Sequence, residues 1–140
     1  MVARGEERRV VTVVFADIVG FTALSELADP EHVKRTVDAC FERLARDVTD
    51  FGGRVDKIVG DAIIALFGAP VAHEDDPERA VRAALRMQQT VAGPIAGVAS
   101  PLQVRIGVNT GEVLVGALRA GGDYTAMGDV VNTAQRLQAA

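Results

Sequence analysis

The run Val10 to Ala16 (VVTVVFA) is almost wholly apolar and rich in β-branched side chains, and Asp17 follows it directly, with Gly20 close behind. A short apolar run closed by a turn signal reads as a buried strand, and a buried strand obliges the rest of the chain to supply what covers it. The following segments do so in order. Phe21 to Leu27 has the length of a short helix. Asp29-Pro30-Glu31 is a helix start, with Asp29 as cap and Pro30 in the first helical position. Val33, Val37, Phe41, Leu44, Val48 and Phe51 then recur at helical spacing until Gly52-Gly53 ends the helix. Arg54 to Val59 and Ala62 to Gly68 read as two strands of a hairpin turning at Gly60-Asp61. Asp76-Pro77-Glu78 repeats the helix-start signal, and Ala80, Ala84, Leu85, Gln88 and Val91 continue that helix. After a loop from Gly93 to Pro101, Leu102 to Val108 and Glu112 to Leu118 bracket Asn109-Thr110-Gly111 as a second hairpin. Arg119 to Asp123 reads as a polar loop, and a last helix begins near Asp129. The first six major elements follow the split βαββαβ layout of ferredoxin-like α+β folds, an antiparallel sheet with helices on one face.

The chain has 140 residues, which suits one domain spanning residues 1–140. Its formal charge of −4 and the absence of a broad basic face argue against a nucleic-acid partner. The nearest basic cluster, Arg4 to Arg9, is short and interrupted by Glu6 and Glu7. The single cysteine, Cys40, falls on the apolar stripe of the first long helix and reads as a buried, inert thiol. No apolar stretch approaches the roughly twenty residues that span a bilayer. No secretory-type segment stands before the first strand, so the cytoplasm is the expected compartment.

Asp17 stands at the end of a buried strand, ahead of a glycine turn. One use for it there is to hold a hard cation while backbone N–H groups of Ile18, Val19, Gly20, Phe21 and Thr22 cradle phosphate oxygens. The other is simply to cap the short helix. Asp61 is ordinary turn chemistry on its own terms. Neighbouring strands lie about 5 Å apart, however, so acids at adjacent strand ends could share a pair of metal ions. Lys57 is a cation on a strand bounded by apolar residues, and by itself reads as a solvated edge residue.

Three segments, FADIVGFT (15–22), KIVGDA (57–62) and YTAMGDVVNTAQRL (124–137), together resemble the class III adenylyl/guanylyl cyclase homology domain, and RIGVNTGEVLVG (105–116) is similar to that family's strand pair. The resemblance covers Val10 to Leu137. It implies that Asp17 and Asp61 hold two divalent ions, Mg2+ or Mn2+. It matches Lys57 to the lysine that selects adenine and Thr125 to the second base-selecting position. Guanylyl cyclases typically carry Glu and Cys at those two places, so lysine with threonine resembles an adenylyl subgroup using ATP. Asn132 and Arg136 match the pair that orients the ribose and stabilises the transition state, and their spacing of four puts both on one helix face. Arg105 matches an arginine that can approach the phosphates.

The resemblance further implies a head-to-tail homodimer with two composite pockets, each taking its metal acids and its base-reading residues from different subunits and producing 3′,5′-cyclic AMP and pyrophosphate. Relatives usually continue past the Asn/Arg helix into further strands, one bearing a phosphate-binding lysine. A chain lacking them is expected to turn over slowly. The competing expectation is a non-catalytic cyclase-like module that binds nucleotide or dimerises. A diguanylate cyclase is disfavoured, because Gly121-Gly122-Asp123 lacks the acidic-aromatic continuation of a GGDEF turn.

Overall fold

The computed structural model describes residues 6–20, 26, 29–95, 102–117, 124–127 and 129–139. The β-branched run is the middle of a longer strand, β1 (Glu6–Val19). Helix α1 (Pro30–Asp50) starts where the cap signal predicts: the Asp29 carboxylate accepts the His32 backbone N–H at 2.9 Å, and Pro30 opens the helix. It stops at Phe51, and Gly52 takes up a φ of +86°, which side chains rarely adopt. Strands β2 (Arg54–Val59) and β3 (Ala62–Phe67) form the expected hairpin around Gly60-Asp61. Helix α2 (Asp76–Ala92), strand β4 (Gln103–Ala117), strand β5 (Tyr124–Met127) and helix α3 (Asp129–Ala139) complete the described elements. The expected short helix at 21–27 and the loop at 119–123 fall outside the described residues, apart from Glu26, and of the loop at 93–101 only Gly93 to Ile95 is described.

The five strands form one sheet in the order β2-β3-β1-β4-β5, and every neighbouring pair is antiparallel. β1 is therefore central. Its side chains alternate between two cores, as a strand buried on both faces requires. Val14, Ala16 and Ile18 join Ile63, Ala65 and Phe67 of β3 under α1 and α2, where Cys40, Leu44, Val48, Ala80, Ala83 and Met87 are fully buried. Val11, Val13 and Phe15 join Ile64 and Leu66 on the opposite face, where Ala134, Val130 and Val131 of α3 pack. Each large apolar side chain so buried contributes about 1.5–3 kcal/mol. Between the two long helices, the Thr90 hydroxyl donates to the buried Asp47 carboxylate at 2.6 Å. Cys40 is buried as expected, and burial pushes its thiol up to about 11. On α2 the buried side includes Ala80, Ala83, Met87, Thr90 and Val91, while Leu85 is 56% exposed.

The two helices of the βαββαβ core lie on one face of the sheet as expected, and the additional helix α3 covers the other. One expectation needs correction. There is no hairpin at Asn109-Thr110-Gly111. β4 runs unbroken through these residues, paired with β1 from Val19↔Gln103 to Glu6↔Gly116. Thr110 stands opposite Thr12, with their hydroxyls 2.8 Å apart, and Asn109 donates its side-chain amide to the Val130 carbonyl at 3.4 Å. The glycine that looked like a turn residue serves close approach instead. A Cβ at Gly111 would lie 2.6 Å from a Val130 methyl, and one at Gly107 would collide with the Ala134 carbonyl oxygen and lie 2.6 Å from the Gln138 nitrogen. The missing side chains form the floor on which α3 rests. The second strand after α2 is β5, not the segment after Gly111.

Gly107→Ala is accordingly expected to destabilise the fold by about 1–3 kcal/mol, because the added methyl meets backbone that cannot rotate away. Gly93→Ala, with no atom nearer than 3.8 Å, is the control and should leave the urea midpoint nearly unchanged. Equal midpoints for the two variants would remove the close-packing role of Gly107.

Candidate active site

Asp17 lies near the end of β1 between two neighbours: Ala62 of β3 on one side and Arg105 of β4 on the other. Asp61 immediately precedes Ala62, and its carbonyl accepts the Ile18 backbone N–H at 2.9 Å. The two acids are thus tied together by main chain, at adjacent strand ends. The same bond means that the Ile18 amide is not free to cradle a phosphate. Val19 also remains in the strand, opposite Gln103, so Gly20, with a φ of 106°, is the first residue beyond it. Phe21 and Thr22 lie outside the described residues.

Asp17 is half-buried and Asp61 exposed. The Asp17 carboxylate accepts one hydrogen bond, from the Gln138 amide at 3.3 Å. Among the described residues neither acid forms an ion pair, although Arg105 stands directly across from Asp17 and is exposed. Two carboxylates without a protein cation are hard oxygen donors suited to a hard divalent ion. Mg2+ commonly takes one or two carboxylates and completes its shell with water and substrate phosphates. Among the described residues there is no group of three or more His, Cys, Asp and Glu that could hold a metal by itself. The donor set therefore fits an ion shared with a phosphorylated ligand rather than an all-protein cage.

Lys57 reaches this face of the sheet through a device that sequence reading missed. Val55 pairs with Ala65 and Lys57 with Ile64, so Asp56 is an extra residue in β2 and makes a bulge. In an unbroken ladder Lys57 would oppose Ile63 on the α1/α2 side. The bulge moves it opposite Ile64, on the side that carries Phe15 and Asp17. The Asp56 side chain is fully buried, 2.9 Å from Arg54 and 4.0 Å from Lys57. Nothing local in Arg54 to Val59 marks the bulge, since it is a relation between two strands. Thr125 lies in β5 opposite Gly116, and β5 also approaches β2, the strand of Lys57.

Asn132 and Arg136 are not brought to Asp17 within this chain. α3 rests on the sheet through Val130, Ala134 and Gln138, and two residues further on is a rotation of roughly 200°. Asn132 and Arg136 are accordingly exposed. Within one chain Asp17, Arg105 and Lys57 thus share a sheet face, with Asp61 in the turn beside Asp17 and the Asn/Arg pair on the outer side of α3.

The family described as the adenylate and guanylate cyclase catalytic domain matches residues 4–140. Adenylate cyclase 1 of Rhizobium meliloti is 37% identical over 141 residues, covering 96% of this chain and 21% of that protein. The chain thus spans about a fifth of that relative's length. The solved structure of the guanylyl cyclase Cya2 superposes with a TM-score of 0.83 at 36% identity, covering 96% of this chain and 72% of that one. A non-canonical dimeric guanylyl cyclase domain of the RhoGC fusion protein from the aquatic fungus Blastocladiella emersonii reaches 0.86 at 28% identity, covering 96% of this chain and 76% of that one. Matched along nearly its whole length in sequence, and superposing on solved cyclase domains, this chain belongs to the family of adenylate and guanylate cyclase catalytic domains.

Proposed function

We propose that the chain is an adenylyl cyclase domain that converts ATP to 3′,5′-cyclic AMP and pyrophosphate in composite pockets of a head-to-tail homodimer. The observation that carries this reading is the pairing of Asp17 with Asp61 at adjacent strand ends, while Lys57 lies two strands away in β2 and Asn132 and Arg136 face outward from α3. A complete pocket then takes the metal acids of one chain and the base-reading residues and Asn/Arg pair of another, which a two-fold dimer supplies twice. Support for adenine comes from Lys57, an ammonium donor, with the strand of Thr125 alongside β2. Relatives include both adenylyl and guanylyl cyclases, so base choice is a matter for these two positions.

In the reaction the ribose 3′-oxygen attacks the α-phosphorus, the bond from that phosphorus to the bridging oxygen breaks, and pyrophosphate departs. The 3′-hydroxyl proton passes to solvent. Asp17 and Asp61 would hold Mg2+ or Mn2+, which when bound supply Lewis-acid stabilisation to the attacking and leaving oxygens. The chain's own work is positioning and charge. Asn132 holds the ribose so that the 3′-oxygen is in line with the phosphorus. Arg136 meets the negative charge that builds on the phosphorane oxygens. Arg105, across from Asp17, faces the phosphates at the same end of the sheet. Lys57 and Thr125 hydrogen-bond the adenine edge, and a wrong base leaves their polar groups unpaired.

Asp17→Asn and Asp61→Ala should each lower turnover at least about a hundredfold, since several kcal/mol of charge stabilisation are lost. Asp61→Ala, at an exposed turn, should change stability by no more than about 0.5 kcal/mol. Near-normal Mn2+-dependent activity in either variant would refute the metal assignment. A mixture of Asp17→Asn and Arg136→Ala chains, each inactive alone, should regain activity. At equal mixing about half the dimers are mixed and each has one intact pocket. No recovery, with subunit exchange demonstrated, would put all of these residues in one chain's pocket. Lys57→Glu combined with Thr125→Cys should weaken ATP use by roughly ten- to a hundredfold, the effect of losing about 1–3 kcal/mol of buried polar matching. Product analysis with ATP and GTP reads the change, and an unaltered ATP preference would mean that adenine is read elsewhere.

A further inference from the structure

Gln138 is a polar side chain in a place where its own stability needs do not require it. It sits on the inner side of α3, is only 8% exposed, and its Nε2 donates to Asp17 Oδ2 at 3.3 Å. No other hydrogen bond holds the Asp17 side chain among the described residues. The contact exists because the sheet makes room for it. Gly107 lies opposite Phe15, two residues before Asp17 on the same strand face, and its missing side chain lets the Gln138 backbone settle onto β4. From there the amide reaches across to the strand end where the two acids meet.

We infer that Gln138 is a positioning residue that fixes the Asp17 carboxylate for a divalent cation. The inference rests on the proposed role of Asp17 as a metal ligand. A carboxylate at a strand end rotates freely about its terminal bond, and a cation meets it productively in only part of that range. One donor on Oδ2 fixes the carboxylate plane and leaves Oδ1 without a partner among the described residues. Outer partners of this kind orient ligating groups, and their loss typically costs ten- to a hundredfold in metal affinity. The placement has a second consequence. The helix whose inner side holds one pocket's acid bears, on its outer side, the Asn132 and Arg136 that serve the other pocket. Setting the carboxylate and setting the partner-facing pair are thus tasks of one rigid element.

The test uses Mn2+ alone, with no nucleotide, and reads free Mn2+ from its electron paramagnetic resonance signal. Gln138→Met keeps the length, the apolar stem and the helix preference but removes the donor. It should weaken Mn2+ binding by about tenfold or more, while the thermal midpoint of the metal-free chain stays close to that of the unsubstituted protein. Wild-type Mn2+ affinity in Gln138→Met would overturn the inference. Should that variant fold poorly, Gln138→Asn retains an amide too short to reach Asp17, and the same loss is expected; wild-type affinity there would overturn the inference equally. Asp17→Asn separates the two ideas. If it loses Mn2+ while Gln138→Met keeps it, only the role of Gln138 falls. If Asp17→Asn binds Mn2+ as the wild type does, the metal reading falls and the inference with it.

Discussion

β1 and β4 run antiparallel along their whole lengths, from Glu6 opposite Gly116 to Val19 opposite Gln103, and most of the described structure is placed by reference to this ladder. It makes β1 central, with β3 on its other edge, and so forces β1 to bury both faces. The helices divide accordingly, α1 and α2 on one side and α3 on the other. It also brings three chain segments to one spot: the end of β1 with Asp17, the β2–β3 turn with Asp61, and the start of β4 with Arg105. A ladder this long is hard to slip. A shift of one residue would turn every apolar side chain of β1 to the wrong core, and would separate Thr12 from Thr110.

On the side away from α1 and α2, the helix is seated by what is absent. Gly107 and Gly111 remove side chains where α3 crosses β4, and Ala134, fully buried, is small enough to lie against that floor. Close approach gives α3 two distinct sides. The inner one seals the second core and touches Asp17 through Gln138, and the outer one leaves Asn132 and Arg136 exposed. A larger residue in the floor would lift the helix from the sheet and disturb both sides together.

The bulge in β2 is the second local departure with a global effect. It requires a carboxylate, Asp56, to be buried at a strand position, which is costly unless opposite charges attend it. Arg54 at 2.9 Å and Lys57 at 4.0 Å supply them. The bulge in turn gives Lys57 the same sheet face as Asp17. A ladder irregularity, an ion pair and the placing of a candidate base-reading lysine are therefore one feature.

The sequence alone determined the local structure and the identity of the chemical groups. The VVTVVFA run, the Asp29-Pro30 start, the Gly52-Gly53 stop and the Gly60-Asp61 turn are short-range signals, because caps, turns and strand runs depend on residues that touch their near neighbours. They set β1, α1, β2, β3 and the start of α2 close to where they stand. The motifs around Asp17, Lys57 and Asn132 likewise named the chemistry that the family match bears out at the level of a cyclase domain. Only the tertiary structure decided what depends on long-range contacts. Asn109-Thr110-Gly111 has the composition of a turn, but pairing with β1 and the closeness of α3 keep it extended. Asp56 gives no local sign of a bulge, because a bulge is a relation between two strands. Gln138 lies far from Asp17 along the chain and meets it only because a glycine on a third element lets the helix down onto the sheet.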